Sequence, residues 1–373
     1  MRVTVVAISD PWESAHGGTL RTRALARGLL EAGDDVVCLF PAGEASSRTE
    51  AGVRLVGVAT ATTGGRRWPG PVRALKRALL PMPTEAGARS RTLLDAVTAE
   101  RPDVVVVSQL PYAWYAEQAG VPLWLDHSDL WSDFIGREVA ARRGVARLTA
   151  RRQQRGLEVT ETRRSRDAVV TTAAGWVDAT TLGARTGRDV GWLPTPVGEG
   201  VTAARPVAGD RPTAGFLANF GFWPNVDALR LLDDVWAPRL LADGWRVVVA
   251  GLESDRMQVR PGVEVLGPLA DVADFYDRVD VTLAPIRLGG GMKVKVVESM
   301  LRGRPVVSTA LGVEGFPPKV RRLAHVVDAQ APAFPAPAGL AAPLADAAPE
   351  TLAPFTTTGF TATVADLRER ILR

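Results

Sequence analysis

Short, nearly unbroken apolar runs alternate along this chain with longer stretches in which apolar residues recur every third or fourth position. The first run, Val3-Thr-Val-Val-Ala-Ile-Ser9, is β-branched and apolar on both faces, as a strand buried in a parallel sheet must be. After a loop ending in His16-Gly17-Gly18-Thr19, residues Leu20, Ala24, Leu25, Gly28 and Leu29 share one helix face, and Gly33 closes the helix. Further strands are predicted at 35–40, 53–58, 103–108 and 122–126. A long helix over 144–166 leads to strands at 168–172 and 190–193. Such alternation means an α/β sheet covered by helices on both faces.

Pro194, Pro196, Gly198, Gly200, Pro206, Gly209 and Pro212 then crowd one segment without hydrophobic period, which is linker composition. The alternation restarts beyond it, with strands at 213–217, 245–250, 263–266, 279–284 and 305–308, and helices at 226–241, from 271, and at 292–301. Residues 331–354 are rich in Ala and Pro and read as loops and short helices. Val364, Leu367 and Ile371 fall in register on a closing amphipathic helix. The expected division is 1–196, 197–358 and a terminal helix 359–373, with no internal repeat.

A length of 373 residues suits two such domains. With 46% hydrophobic and 23% charged residues, both signs interspersed, extensive disorder, collagen and coiled coil are excluded. The single Cys38 rules out an internal disulfide or a Cys-rich metal site, and His16, His127 and His325 are the only histidines. The second domain has no Asp-x-Asp pair after a strand, so no metal and no cofactor are expected. No apolar run approaches the roughly 20 residues of a membrane span, and Met1 leads into a strand rather than a signal peptide. A cytoplasmic protein is the expectation.

The net charge of +4 comes with a pI of 9.6 because arginine dominates the basic residues. Over 137–166, ten Arg face three Glu. That stretch could meet an acidic partner, RNA or an anionic lipid surface; the plainer reading is a solvated helix in an Ala/Arg-rich chain.

Two α/β units in tandem offer crevices at the carboxyl ends of their strands and favour a ligand in the cleft between them. The most informative segment is Pro285-Ile-Arg-Leu-Gly-Gly-Gly-Met-Lys-Val-Lys-Val-Val-Glu-Ser-Met300. A strand ends at Pro285, Gly289, Gly290 and Gly291 free the backbone for φ > 0, and a helix follows. Peptide N–H groups at such a helix start suit a phosphate, with Arg287, Lys293 and Lys295 nearby. The alternative is a Gly-rich turn with a surface Lys295–Glu298 pair at i, i+3, worth about 0.2–0.5 kcal/mol.

From Gly215 to Phe316 the chain resembles the C-terminal domain of the GT-B glycosyltransferases of retaining family 4, the glycosyltransferases group 1. The resemblance rests on Trp223-Pro-Asn-Val-Asp227, Val249-Ala-Gly251, Gly267-Pro-Leu-Ala-Asp271, Ala284-Pro285, Lys295-Val-Val-Glu298-Ser-Met300, Gly303-Arg-Pro-Val-Val307 and Gly312-Val-Glu-Gly315, in family order. Gly17-Gly18 and Asp126-His127-Ser-Asp129 extend it more loosely to the N-terminal half. The implied fold is GT-B, two Rossmann-like domains facing each other across a cleft, with the terminal helix crossing back to the first domain; since donor and acceptor sites on different domains need meet only during reaction, the linker is expected to act as a hinge.

The resemblance also implies roles. Glu298 would accept from the ribose hydroxyls, and Lys295 with the N–H groups of Gly290, Gly291 and Met292 would hold the diphosphate and stabilise the leaving group. Arg287 and Gly289 would join the donor site, and the turn Gly267-Pro-Leu269 would meet the base. Gly17 and Gly18 would approach the diphosphate and acceptor. His127 would touch the transferred sugar, although a lone histidine is more often structural. The chain departs from many family members in carrying Gly290 where a carboxylate contacts the donor sugar, and in lacking a basic pair after the first strand of the second domain.

The implied activity is transfer of a sugar from a nucleoside-diphosphate sugar to a small-molecule or lipid-linked acceptor, with retention and without nucleic acid. The alternatives are a pseudo-glycosyltransferase coupling an activated non-sugar group, and a catalytically silent nucleotide-sugar-binding partner. No G-x-G-x-x-G follows the first strand, which disfavours a dehydrogenase. Trp12, Trp68, Tyr112, Trp114, Tyr115, Trp124 and Trp131 could stack on an acceptor or serve as core.

Overall fold

The computed structural model describes residues 1–13, 17–60, 89–141, 143–198, 200–205, 207 and 210–372. His16, Trp68, Arg142, Pro206, Gly209 and Arg373 lie outside the described residues. Two units form: unit 1 comprises Met1–Pro196 with Thr357–Arg373, and unit 2 comprises Val197–Thr356.

Unit 1 is built on the strands β1 (Arg2–Val6), β2 (Asp35–Ala42), β3 (Ser46–Glu50), β4 (Val53–Ala59), β5 (Val104–Val107), β6 (Leu123–His127), β7 (Val170–Ala173) and β8 (Gly191–Trp192). Their order is β3-β4-β2-β1-β5-β6-β7-β8, parallel throughout except where β3 runs antiparallel to β4. β3 is the one strand of this sheet that hydrophobic patterning misses entirely. Its sequence, Ser46-Ser-Arg-Thr-Glu50, is polar because it is an exposed edge strand with no core to fill.

Both faces of the sheet are covered. Val3, Val5 and Cys38 pack on one side against Leu25 and Leu29 of the helix Gly17–Glu31 and against Phe360, Val364 and Leu367 of the terminal helix Thr357–Glu369. On the other side Val6, Leu39 and Val105 meet the helices Arg91–Ala99 and Ala113–Ala119. The terminal helix lies close enough that a Cβ at Gly28 would sit 3.2–3.3 Å from Val364.

Unit 2 has the strands β9 (Thr213–Leu217), β10 (Arg246–Ala250), β11 (Val263–Gly267), β12 (Val281–Ala284), β13 (Val306–Ser308) and β14 (His325–Val326), all parallel, in the order β11-β10-β9-β12-β13-β14. The helix expected over 226–241 begins earlier and is interrupted. It runs as Trp223–Leu231, a π-helical turn Leu232–Trp236, and Ala237–Ala242. Pro238 supplies the reason, since without an N–H it cannot bond back to Asp234 and the wider turn absorbs the mismatch. Trp236 is buried there and donates its indole N–H to the Ala329 carbonyl at 3.0 Å.

In each sheet the strand order turns around once. In unit 1 this happens at β1, flanked by β2 and β5, and in unit 2 at β9, flanked by β10 and β12. Successive connections leave such a strand in opposite directions, which opens a crevice at the carboxyl ends of the central pair.

Candidate functional site

The unit 2 crevice lies where β9 and β12 end. After β12 the chain turns through Gly289 at φ +109° and Gly291 at φ +60°, conformations that favour glycine. Lys293 fastens this turn from inside, its ammonium donating to the carbonyls of Gly290 and, at 3.1 Å, Gly291. Gly315 fastens it from below, for a Cβ there would lie 2.7 Å from the Gly291 oxygen and 2.9 Å from the Met292 Cα. The helix expected from 292 starts at Val294 because Lys293 serves as its N-cap, in extended conformation.

One residue into that helix, Lys295 turns toward β9. Its Nζ donates to Asn225 Oδ1 at 3.3 Å and stands 4.7 Å from the centre of the Phe216 ring. Although part of the residue is exposed, protein surrounds the amine, and burial, with the Lys293 charge adding to it, lowers its pKa to about 7. Asn225 is held in turn by its own amide donating to the Asn219 carbonyl at 2.7 Å.

Glu298 lies further along the same helix. The Lys295–Glu298 pair does not form among the described residues: Glu298 instead accepts from Arg302 at 3.4 Å, one turn on. Burial raises the Glu298 pKa, while Arg302 and the Tyr276 hydroxyl oppose the rise. Arg302 also lies over the Tyr276 ring, 5.0 Å from its centre. The Asp271 charge adds a small part to the rise. Gly267 adopts φ +80° and accepts the Gly251 N–H at 3.1 Å, and Leu269 packs against the core cluster of Val248, Ala250, Phe275, Tyr276 and Val279. Gly251 is itself obligatory, with φ +119° and the Ala218 carbonyl where a Cβ would go.

The structure thus brings Gly289, Gly290, Gly291, Met292, Lys293 and Lys295 together, with Glu298 one turn further along the same helix, while Leu269 of the Gly267–Leu269 turn packs against the cluster that contains Tyr276. Arg287 points elsewhere, in a two-point ion pair with Asp227 at 2.8 and 3.0 Å. Phe216, Asn225, Tyr276 and Arg302 belong to the site and were not singled out from the sequence. Asn225 sits inside the quoted Trp223–Asp227 motif, which was the one available signal.

In unit 1, Gly17 and Gly18 open the first helix beside a concavity lined by Ala7, Ser9, Gly18, Thr22 and Ser108 at the ends of β1 and β5. His127 ends β6 but is closed in, 4% exposed, with its Nε2 at 2.9 Å from Ser165 Oγ. Burial lowers its pKa to about 4 against the opposing pull of Asp126, and Arg21 lowers it further. It is a neutral imidazole at neutral pH. Asp126 is taken by Arg21 at 2.5 and 2.7 Å and by Thr172 at 2.6 Å. Of the aromatics, Trp124 and Tyr115 are core, Tyr112, Trp12 and Trp114 are partly buried, and Trp131 is exposed. Among the described residues no three His, Cys, Asp or Glu side chains are grouped to hold a metal ion.

The fold resembles sucrose-phosphate synthase from Thermosynechococcus elongatus, with 15% identity, TM-score 0.62 and coverage of 100% of this chain and 94% of that one. It also resembles Anabaena HepE in complex with UDP-glucose (12%, TM-score 0.60, 99% of each chain). A third likeness is to α,α-trehalose 6-phosphate synthase from Burkholderia multivorans (14%, TM-score 0.57, 99% and 96%). No curated protein sequence matches the chain. The fold is that of the GT-B glycosyltransferases, two Rossmann-like α/β units. Residues 211–337, which hold the whole unit 2 crevice, match the family Glycosyl transferases group 1.

Proposed function

We propose that the protein transfers a sugar from a nucleoside-diphosphate sugar to an acceptor, with retention of configuration, as a member of family 4. Unit 2 binds the donor and unit 1 the acceptor. The observation that carries this reading is the enclosed Lys295 amine beside the Gly289–Gly291 turn, with Glu298 on the same helix. HepE, of like fold, has been solved with UDP-glucose.

The parts fit the chemistry. The open turn offers N–H groups to a diphosphate, and a protonated Lys295 neutralises the charge that develops as the anomeric bond breaks. The ionised Glu298 supplies two acceptor oxygens for ribose hydroxyls, and Arg302 helps keep it ionised. Arg287 contributes through Asp227, fixing the strand end from which the turn springs. His127 would have to part from Ser165 to touch a sugar, so we assign it to holding β6 in place. With Lys295 and the helix start meeting the diphosphate, the reaction needs no metal. The acceptor is a small molecule or a lipid-linked one.

Gly290, where many relatives carry a donor-sugar carboxylate, favours a second reading in which the activated group is not a common sugar. Turnover separates the two. Crossing nucleotide sugars with acceptor extracts and weighing the products by mass spectrometry should reveal glycosylated acceptor in the presence of EDTA. Donor binding without any transfer would favour the silent partner, and activity restored only by Mg²⁺ or Mn²⁺ would overturn the metal-free assignment.

A further inference from the structure

The helix Gly144–Asp167 of unit 1 buries one face through Ala150, Leu157, Glu161, Arg164 and Ser165. Positions 145, 148, 152, 155, 159, 163 and 166 advance by three or four and so share the opposite face. They are Val145, Leu148, Arg152, Arg155, Val159, Arg163 and Arg166, and every one is exposed. The three aliphatics are unusually open to water: Val145 is 81% exposed, Leu148 70% and Val159 68%.

Of the helix's three carboxylates only Asp167, in the last turn and one turn on from Arg163, is exposed at the edge of this face. Glu158 is turned toward Arg185 at 3.4 Å, and Glu161 is buried against Ser132. Among the described residues Arg152, Arg155 and Arg163 have no acidic partner, and Arg166 makes only long contacts to the carbonyls of Arg185 and Thr186. The stripe runs about 30 Å along the helix.

A merely solvated face accounts for the arginines and leaves the aliphatics unexplained. RNA would satisfy the guanidinium groups but gain nothing from valine and leucine, and the stripe carries no aromatic to stack on a base. An anionic lipid surface satisfies both. Its headgroup phosphates take the arginines, and the boundary with the acyl chains takes the side chains between them.

We propose that this face of unit 1 docks in the plane of an anionic lipid surface. The partner is defined by phosphate-bearing headgroups above hydrocarbon, and docking needs both the cations and the aliphatics.

The test is sedimentation of the full chain with vesicles of phosphatidylcholine alone and of phosphatidylcholine with phosphatidylglycerol at two to one. Binding is expected to the mixed vesicles only, weakening as salt is raised. Arg152→Gln, Arg155→Gln and Arg163→Gln should each lower the partition coefficient about fivefold, and Leu148→Asp should lower it as well. These side chains point to solvent, so an unchanged melting temperature is the expected check on folding. Cys38 is the only cysteine and is buried, so Leu148→Cys provides a single accessible thiol for an environment-sensitive dye, whose emission should shift to the blue on the mixed vesicles. Equal binding to both vesicle types, no binding to either, or an unshifted dye would overturn the proposal. So would tight binding of a homopolymeric RNA that needs the arginines and ignores Leu148→Asp, which would mark the face as a polyanion site.

Discussion

An amine enclosed by protein holds its proton weakly until an anion arrives, and Lys295 is in that position. With its pKa lowered to about 7, it is charged below neutrality and loses its charge above. A bound diphosphate favours the charged form and raises that pKa, so binding and protonation are linked. Affinity for the nucleoside diphosphate should fall as the pH rises above about 7, by at most about tenfold per pH unit. Calorimetric titration across this range checks it, and Lys295→Gln should bind more weakly with a flattened profile. Glu298→Ala should weaken the same binding by about 1.5–3 kcal/mol, the range for hydrogen bonds to a charged group. Titration with UDP, GDP and dTDP tests this, and unchanged affinity would remove Glu298 from the site. These two residues were legible because their chemistry is written within one short helix. Their partners were not, for Phe216, Asn225 and Tyr276 reach the site only through the sheet. Spacing alone also misdirected Glu298, which shares a face with Lys295 but meets Arg302.

At the scale of elements, the Gly-rich turn is held by groups on both of its sides. Gly315 sets how low it can sit, and Gly315→Ala would drive a methyl group into the Gly291 carbonyl. The turn must then lift, misplacing the diphosphate by some tenths of an ångström. Turnover should fall by about tenfold, and because Gly315 is buried against backbone the melting temperature should fall with it. Enzyme assay beside thermal unfolding would decide, and full activity would show that the turn tolerates the shift. Apolar periodicity found the strands that fill a core, missed β3 and the two-residue edge strand β14, neither of which has a buried residue, and ran one helix through the π-helical turn before Pro238. Patterning reports burial, and it is silent where an element is exposed or where a proline bends an otherwise continuous apolar face.

The whole molecule divides near where its composition changes, at Pro196, and the chain re-enters unit 1 at Thr357. The terminal helix does more than cross back to unit 1, because Phe360, Val364 and Leu367 are 0–2% exposed within the unit 1 core and Arg368 grips the buried Asp34 at 2.8–3.0 Å. The two ends of unit 2 meet, the Val197 N–H donating to the Phe355 carbonyl at 2.8 Å. Unit 2 is therefore a closed insert, and unit 1 is written in two pieces. A ribosome completes the insert while the surrounding core still lacks its last helix, so the order of synthesis imposes an order of folding. A fragment of 197–356 should melt cooperatively on its own. A fragment of 1–196 should not, until a peptide of 357–373 is added to it in trans, and circular dichroism of the two fragments would reveal whether the nascent enzyme waits for its final turns.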